Sequence, residues 1–143
     1  MMTNSTQLTP TRPYLARAIY QWICDNQLVP YLLVDATQKY VVVPTQHIKD
    51  GQIVLNIAPH AVGHFQITND AIQFSARFGG VSQDLYVPMS AVMGIYSREN
   101  GQGLFFDQEE YQHLLDKDED IVQNKDDQNN EQPKKKPSLR VLD

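Results

Sequence analysis

The chain has a single cysteine, Cys24, among its 143 residues. No intrachain disulfide can form, and no cysteine cluster is available to hold zinc or an iron–sulfur centre. Positive charge is also scarce: 12 Lys and Arg against 17 Asp and Glu leave a net charge of −5. Such a chain presents no overall field that would draw in nucleic-acid phosphates or an anionic membrane. No apolar run approaches the length of a membrane span, and the polar start Met1 to Pro13 lacks the apolar stretch of a secretory signal. Internal repeats are missing too. These absences make a cytoplasmic protein the expectation, and the length leaves room for one domain with a real core.

The first patterned segment is helical. Thr11 is placed to cap a helix carrying Pro13 in its first turn, where a missing N–H costs little, and the helix is expected to run to about Gln27. Tyr14, Leu15, Ala18, Ile19, Trp22 and Ile23 recur at helical spacing. Ala16, Tyr20 and Cys24 widen that face and leave only Arg17, Gln21 and Asp25 as a narrow polar strip. A helix with so broad an apolar arc has two surfaces to cover, one by its own domain and one by a second copy of the chain.

After Pro30 the pattern changes to short β-type runs. Strands are expected at 31–36, 40–43, 52–57, 63–68, 72–78, 83–87 and 92–96, separated by turn residues. Asp50-Gly51, Asn69-Asp70, Gly79-Gly80 and Asn100-Gly101 suit tight turns with positive φ. The fold class implied is mainly β with one N-terminal α-helix, as a small, strongly bent antiparallel barrel or sandwich.

From Asp116 the apolar periodicity stops. Residues 116–132 are Asp, Glu, Asn, Gln and Lys broken only by Ile121 and Val122, a composition that cannot offset the entropy of ordering, so a disordered linker is expected there. The end, 133–143, is a basic and apolar cluster with no folding role of its own. The folded domain is therefore bounded to 1–115.

Little in this chain points to covalent chemistry. His47, His60, His64 and His113 form no ligand or triad spacing, so they read as surface or structural residues, with no metal and no cofactor implied. Cys24 reads as a small apolar residue of the helix. Gly79-Gly80 has neither a phosphate-loop pattern nor a following helix, and is better read as a hairpin turn. More informative is the run 72–80. Alternation sends Ile72, Phe74, Ala76 and Phe78 to one face and Gln73, Ser75 and Arg77 to the other. Ala76 between two phenylalanines leaves a dent, and Asn56-Ile57-Ala58-Pro59 supplies further small residues where Pro59 marks a strand end. Together they describe an apolar trough beside free backbone groups, a site type that takes an extended peptide.

The segments 7–14, 50–59, 74–80 and 95–101, with the terminal Pro137-Ser-Leu-Arg-Val141, resemble the stringent starvation protein B (SspB) family, the specificity-enhancing adaptors of the ClpXP protease. The resemblance covers the folded region and the last residues, and omits only the linker; the ending Leu142-Asp143 is less basic than the family's. It implies a small Sm-like (SH3-like) β-barrel, no enzymatic activity, and a homodimer joined through the N-terminal helix, to which Tyr14, Ile19, Tyr20 and Ile23 are assigned. It implies a groove for ssrA-tagged proteins that draws on Asn56, Ala58, Pro59, Phe74, Ala76, Arg77 and Phe78. It implies further that Leu139, Arg140 and Val141 dock on the N-terminal zinc domain of ClpX. The mechanism would be tethering, in which holding client and unfoldase on one chain raises their effective concentration. Roughly 20 residues of flexible linker would span on the order of 25 Å.

Two other classes compete. A small β-barrel RNA-binding (Sm-like) module would need a basic, aromatic-studded sheet face, which the sequence does not advertise. A small hydrolase would need a nucleophile beside a base, and no such constellation is present.

Overall fold

A computed structural model describes residues 8–107 and 111. The chain divides into two units, Met1–Gln108 and Glu109–Asp143, and the elements below belong to the first. The expected linker 116–132 and the docking segment 133–143, with Leu139, Arg140 and Val141, lie outside the described residues.

Helix α1 spans Arg12–Asp25 with proline at its start. Thr11 does precede it, yet its side chain makes no capping hydrogen bond; its carbonyl instead receives the Leu15 N–H at 3.0 Å. The helix has two stripes. Arg12, Ala16 and Ile23 are buried in the domain, with Ile19 and Tyr20 half-buried beside them, whereas Tyr14, Leu15, Ala18 and Trp22 are exposed. The polar strip is not simply solvated. Arg17 donates to Ile67 O at 3.0 Å and Asn69 Oδ1 at 2.9 Å, clipping the helix to the strand beneath it.

Seven strands follow among the described residues: β1 (Pro30–Asp35), β2 (Gln52–Asn56), β3 (Gly63–Ile67), β4 (Ala71–Phe78), β5 (Val81–Pro88), β6 (Val92–Ser97) and β7 (Gly103–Phe105). All pairings are antiparallel. They form two sheets, one ordered β2-β1-β6-β7 and the other β3-β4-β5. The fold is thus mainly β with one helix near the N-terminus, and the sheets do not close into the expected barrel. Alternating side chains from both sheets, including Leu32, Ile53, Leu55, Ile72, Phe74, Val87 and Ile95, meet in one core that α1 helps cover.

Two elements differ from the sequence expectation. Residues 40–43 do not make a strand: Tyr40 has φ 71°, and only Val42 pairs, exchanging bonds with Tyr86 at 2.8 and 3.0 Å. Conversely, β7 is absent from the expected set. Its glycine permits the close approach, since a Cβ on Gly103 would collide with the Ile95 carbonyl oxygen.

Turn chemistry holds at two of the four sites as expected. Asp50 and Gly51 (φ 54° and 77°), and Gly79 and Gly80 (φ 61° and 82°), have both residues in the left-handed region, the conformation that matches the strand twist of a two-residue hairpin. At the third, Asn69-Asp70, positive φ is not used; Thr68 Oγ1 accepts from Asp70 N at 3.2 Å and Ala71 N at 3.1 Å instead. In the fourth, only Gly101 is left-handed.

Candidate functional site: a groove beside an open sheet edge

Strand β2 ends its sheet, and its far side has no strand beyond it among the described residues. Along that edge runs a surface groove of about 520 Å³ lined by His47, Lys49, Asp50, Gln52, Ile53, Val54, Leu55 and Phe78. Its apolar floor comes from the alternation of β2, which buries Ile53 and Leu55 and exposes Gln52, Val54 and Asn56. The far wall is Phe78, delivered by the last residue of β4 just before the Gly79-Gly80 turn. Across the groove the His47 ring sits 5.7 Å from that of Phe78. The charged residues of the lining are Lys49 and Asp50.

The seven residues assigned to a peptide groove are split by the structure. Phe74, Ala76 and Phe78 do share the inner face of β4: Phe74 is buried in the core, Ala76 is half-buried and Phe78 reaches the groove. Ala58 is also buried, and neither it nor Phe74 lines the groove. Asn56 closes β2, where its Oδ1 accepts the Ala58 N–H at 3.0 Å and shapes the crossing to the second sheet. Pro59 is exposed beyond that turn. Arg77 faces the other side of β4 and donates to Gly80 O at 3.3 Å. The groove-lining residues that sequence reasoning does not name are His47, Lys49 and Asp50 before β2 and residues 52–55 within it. A signal for them is present in the alternation of Gln52–Asn56, but alternation marks a strand with one buried face and does not say that its edge is open.

The four residues assigned to a dimer face also separate. Ile23 is fully buried in its own chain and Tyr20 stacks on Phe65, with ring centroids 4.6 Å apart. Burial raises the Tyr20 hydroxyl pKa strongly, helped by the neighbouring Cys24, and burial likewise pushes the Cys24 thiol up. Tyr14 points outward, and Ile19 with Trp22 and residues 101–103 lines a shallow depression of about 550 Å³. The exposed apolar stripe is Tyr14, Leu15, Ala18 and Trp22, and it shares Tyr14 with the set assigned from the sequence.

On the outer face of the four-stranded sheet Tyr31, Tyr96 and Phe105 form an aromatic row, with centroids 5.9 and 5.5 Å apart. Arg98, which follows β6, pairs with Glu99 at 3.2 Å. Among the described residues no cluster of His, Cys, Asp and Glu could hold a metal ion, and no helix is long and apolar enough to cross a membrane.

These features define a two-sheet β protein whose helix α1 helps cover the core and whose edge strand flanks an apolar groove. The family model for stringent starvation protein B matches residues 10–142. A protein of Haemophilus influenzae named stringent starvation protein B homolog is 54% identical over 115 residues, which cover 80% of this chain and 77% of that one. The chain belongs to the stringent starvation protein B family.

Proposed function

We propose that the chain is an adaptor: it holds ssrA-tagged polypeptides in the groove beside β2 and tethers them to the ClpX unfoldase through its C-terminal segment, enhancing their degradation by ClpXP. The single observation that carries this reading is the open edge of β2 beside an apolar groove capped by Phe78, a surface suited to an extended peptide. Family membership supports it. The groove lining, with its opposite charges at the rim and no buried nucleophile–base pair, fits holding better than turnover. In this reading the protein works in the cytoplasm as a homodimer, with the exposed stripe of α1 covered by a second copy, and needs no cofactor.

Two measurements on the full chain and its truncation test this reading. Fluorescence anisotropy should register saturable binding of a labelled ssrA-tag peptide. Removal of 137–143 should leave that binding intact while abolishing the stimulation of tagged-substrate degradation by ClpXP. Absence of peptide binding removes the adaptor reading; stimulation that survives the deletion removes the tether.

A further inference from the structure

Asparagine is followed by glycine once in the whole sequence, at Asn100-Gly101. The pair lies in the turn that joins β6 to β7, and Asn100 is exposed. A glycine in that place has no Cβ to shield its backbone nitrogen, so the nitrogen can reach the amide carbon of the preceding asparagine. Hydrogen bonds in the folded turn engage both groups. Gly101 N–H donates to Ser97 O at 2.8 Å, and Asn100 Oδ1 accepts the Gln102 N–H at 3.0 Å. Ser97 is buried and braces the turn from beneath: its N–H donates to Gln102 O at 2.8 Å, and its Oγ accepts the N–H groups of Glu99 at 3.1 Å and Asn100 at 3.4 Å. The proton that must leave Gly101 N is therefore committed while the turn is closed.

We infer that Asn100 is a site of spontaneous covalent modification, deamidation to aspartate or isoaspartate, and that opening of the β6–β7 turn sets its rate. In the open turn Gly101 N gives its proton to water and attacks Asn100 Cγ. A Gly101 N–Cγ bond forms as the bond from Cγ to the amide nitrogen breaks, ammonia leaves with a proton from water, and a cyclic succinimide remains. Water then opens the ring. Attack at Cγ restores the ordinary backbone with an aspartate side chain, whereas attack at the Asn100 carbonyl carbon leaves the chain running through Cγ, one methylene longer. Nothing is oxidised or reduced. The two products differ in their effect on the fold. Aspartate keeps an oxygen for the Gln102 N–H. Isoaspartate lengthens the turn, and β7 has no room to follow by slipping, because a Cβ in the place of Gly103 would collide with the Ile95 carbonyl oxygen. The isoaspartyl form should release β7. Residues 101–103 share a depression with Ile19 and Trp22, so the change reaches the surface beside the exposed stripe of α1.

The test incubates the full chain in mildly alkaline buffer, folded and in guanidinium chloride, and follows the tryptic fragment 99–117 by mass spectrometry, with fragmentation to place the conversion of amide to acid. In the unfolded chain Asn100 should convert faster than any other asparagine, and in the folded chain it should convert at least about tenfold more slowly. The slowing should match the hydrogen-exchange protection of the Gly101 amide within about threefold, since one opening exposes the same nitrogen to both reactions. Ser97→Ala, which removes the Oγ contacts and keeps the reacting pair, should speed conversion of the folded chain by about threefold or more. Another asparagine converting faster than Asn100 in the unfolded chain would overturn the site. Equal rates folded and unfolded, or a slowing unrelated to Gly101 exchange, would overturn the gating by the turn. The isoaspartyl fraction, recognised by its resistance to an Asp-specific protease, should lose exchange protection at 103–105; protection retained there would overturn the release of β7.

Discussion

Tyr20 lies nearly flat on Phe65, with an interplanar angle of 22° and centroids 4.6 Å apart, and Phe65 in turn packs 5.8 Å from Phe74. This aromatic chain carries α1 through β3 into the core of β4. Tyr20 and Ile23 therefore hold the helix to its own domain, and the stripe containing Leu15, Ala18 and Trp22 is the one left exposed.

The two stripes should respond differently to charge. Leu15→Glu or Trp22→Glu should shift a dimer toward monomer and lower the urea midpoint only by the concentration-dependent part that association contributes, since both side chains are exposed. Tyr20→Ala should instead lower stability by about 2–3 kcal/mol through loss of the stacked ring and leave association to follow from folding. Sedimentation velocity paired with urea unfolding separates the cases. A wild type that stays monomeric across the micromolar range would sink the dimer.

Arg12 is fully buried, and its guanidinium donates to Met89 O and Val92 O at 2.9 Å each and to Asp107 O at 2.6 Å. The same group lies 5.1 Å from the centre of the Phe106 ring. One side chain thus ties the start of α1 to both ends of the β6–β7 region. Arg12→Ala should cost about 3–5 kcal/mol, because several buried carbonyls lose their donor at once. Arg12→Lys should recover only a fraction of this, since an ammonium lacks the planar fork that reaches several acceptors. Equilibrium unfolding in urea reads both; an Ala variant within about 1 kcal/mol of wild type would show that water replaces the clamp.

Arg12 also shows what sequence reasoning cannot reach. Periodicity is a pattern of apolar residues, so six of the seven expected strands and the helix are legible, as is the inward face of Phe74, Ala76 and Phe78. A buried arginine gives no such signal, since its cost is offset by backbone carbonyls far away in sequence. The same holds for β7, a three-residue strand that exists because Gly103 lets two backbones meet. Residues 40–43 fail for the opposite reason: their β-branched composition suits a strand, but the left-handed Tyr40 and the following Pro44 leave room for only one bridged residue. At the site, Phe78 is identifiable from its strand, whereas the open edge of β2 is not. Whether a strand is an edge depends on sheet order, and local sequence does not encode it.

Acid should weaken the domain through two carboxylates. Burial would raise the Asp35 pKa, but it is outweighed by donors from the Thr37 hydroxyl at 2.6 Å, Gln38 at 3.1 Å and the Thr37 N–H at 3.0 Å, which hold it below its ordinary value. Glu99 is lowered as well, chiefly by the Val29 N–H at 3.0 Å. A folded-state value below the unfolded one means stability that is complete above the unfolded pKa and lost as pH falls through the folded one. Urea stability should therefore be nearly flat from neutrality to about pH 5 and decline below about pH 4. In Asp35→Asn that decline should be shallower, and an unchanged slope would show that the Asp35 bonds do not persist in solution.

Two neighbours on opposite sides of β4 test where a client would lie in the proposed reading. Ala76 is on the inner face between buried Phe74 and groove-lining Phe78, whereas Arg77 is exposed on the outer face and held by Gly80 O. Glutamine at position 76 would put an amide on the apolar face that a bound segment would cover in the proposed reading. Because Ala76 is only half-buried, that amide can still reach water, so the melting temperature should move by no more than a few degrees. Tag-peptide affinity, by contrast, should fall about tenfold as the amide is desolvated without a partner. Arg77→Ala removes a charge on the far side of the strand and should change affinity by less than about threefold, the scale of an exposed polar contact. The order of the two losses decides the face. If Arg77→Ala costs more than Ala76→Gln, the segment lies across the outer surface of β4, and the groove beside β2 and Phe78 is not where clients are held.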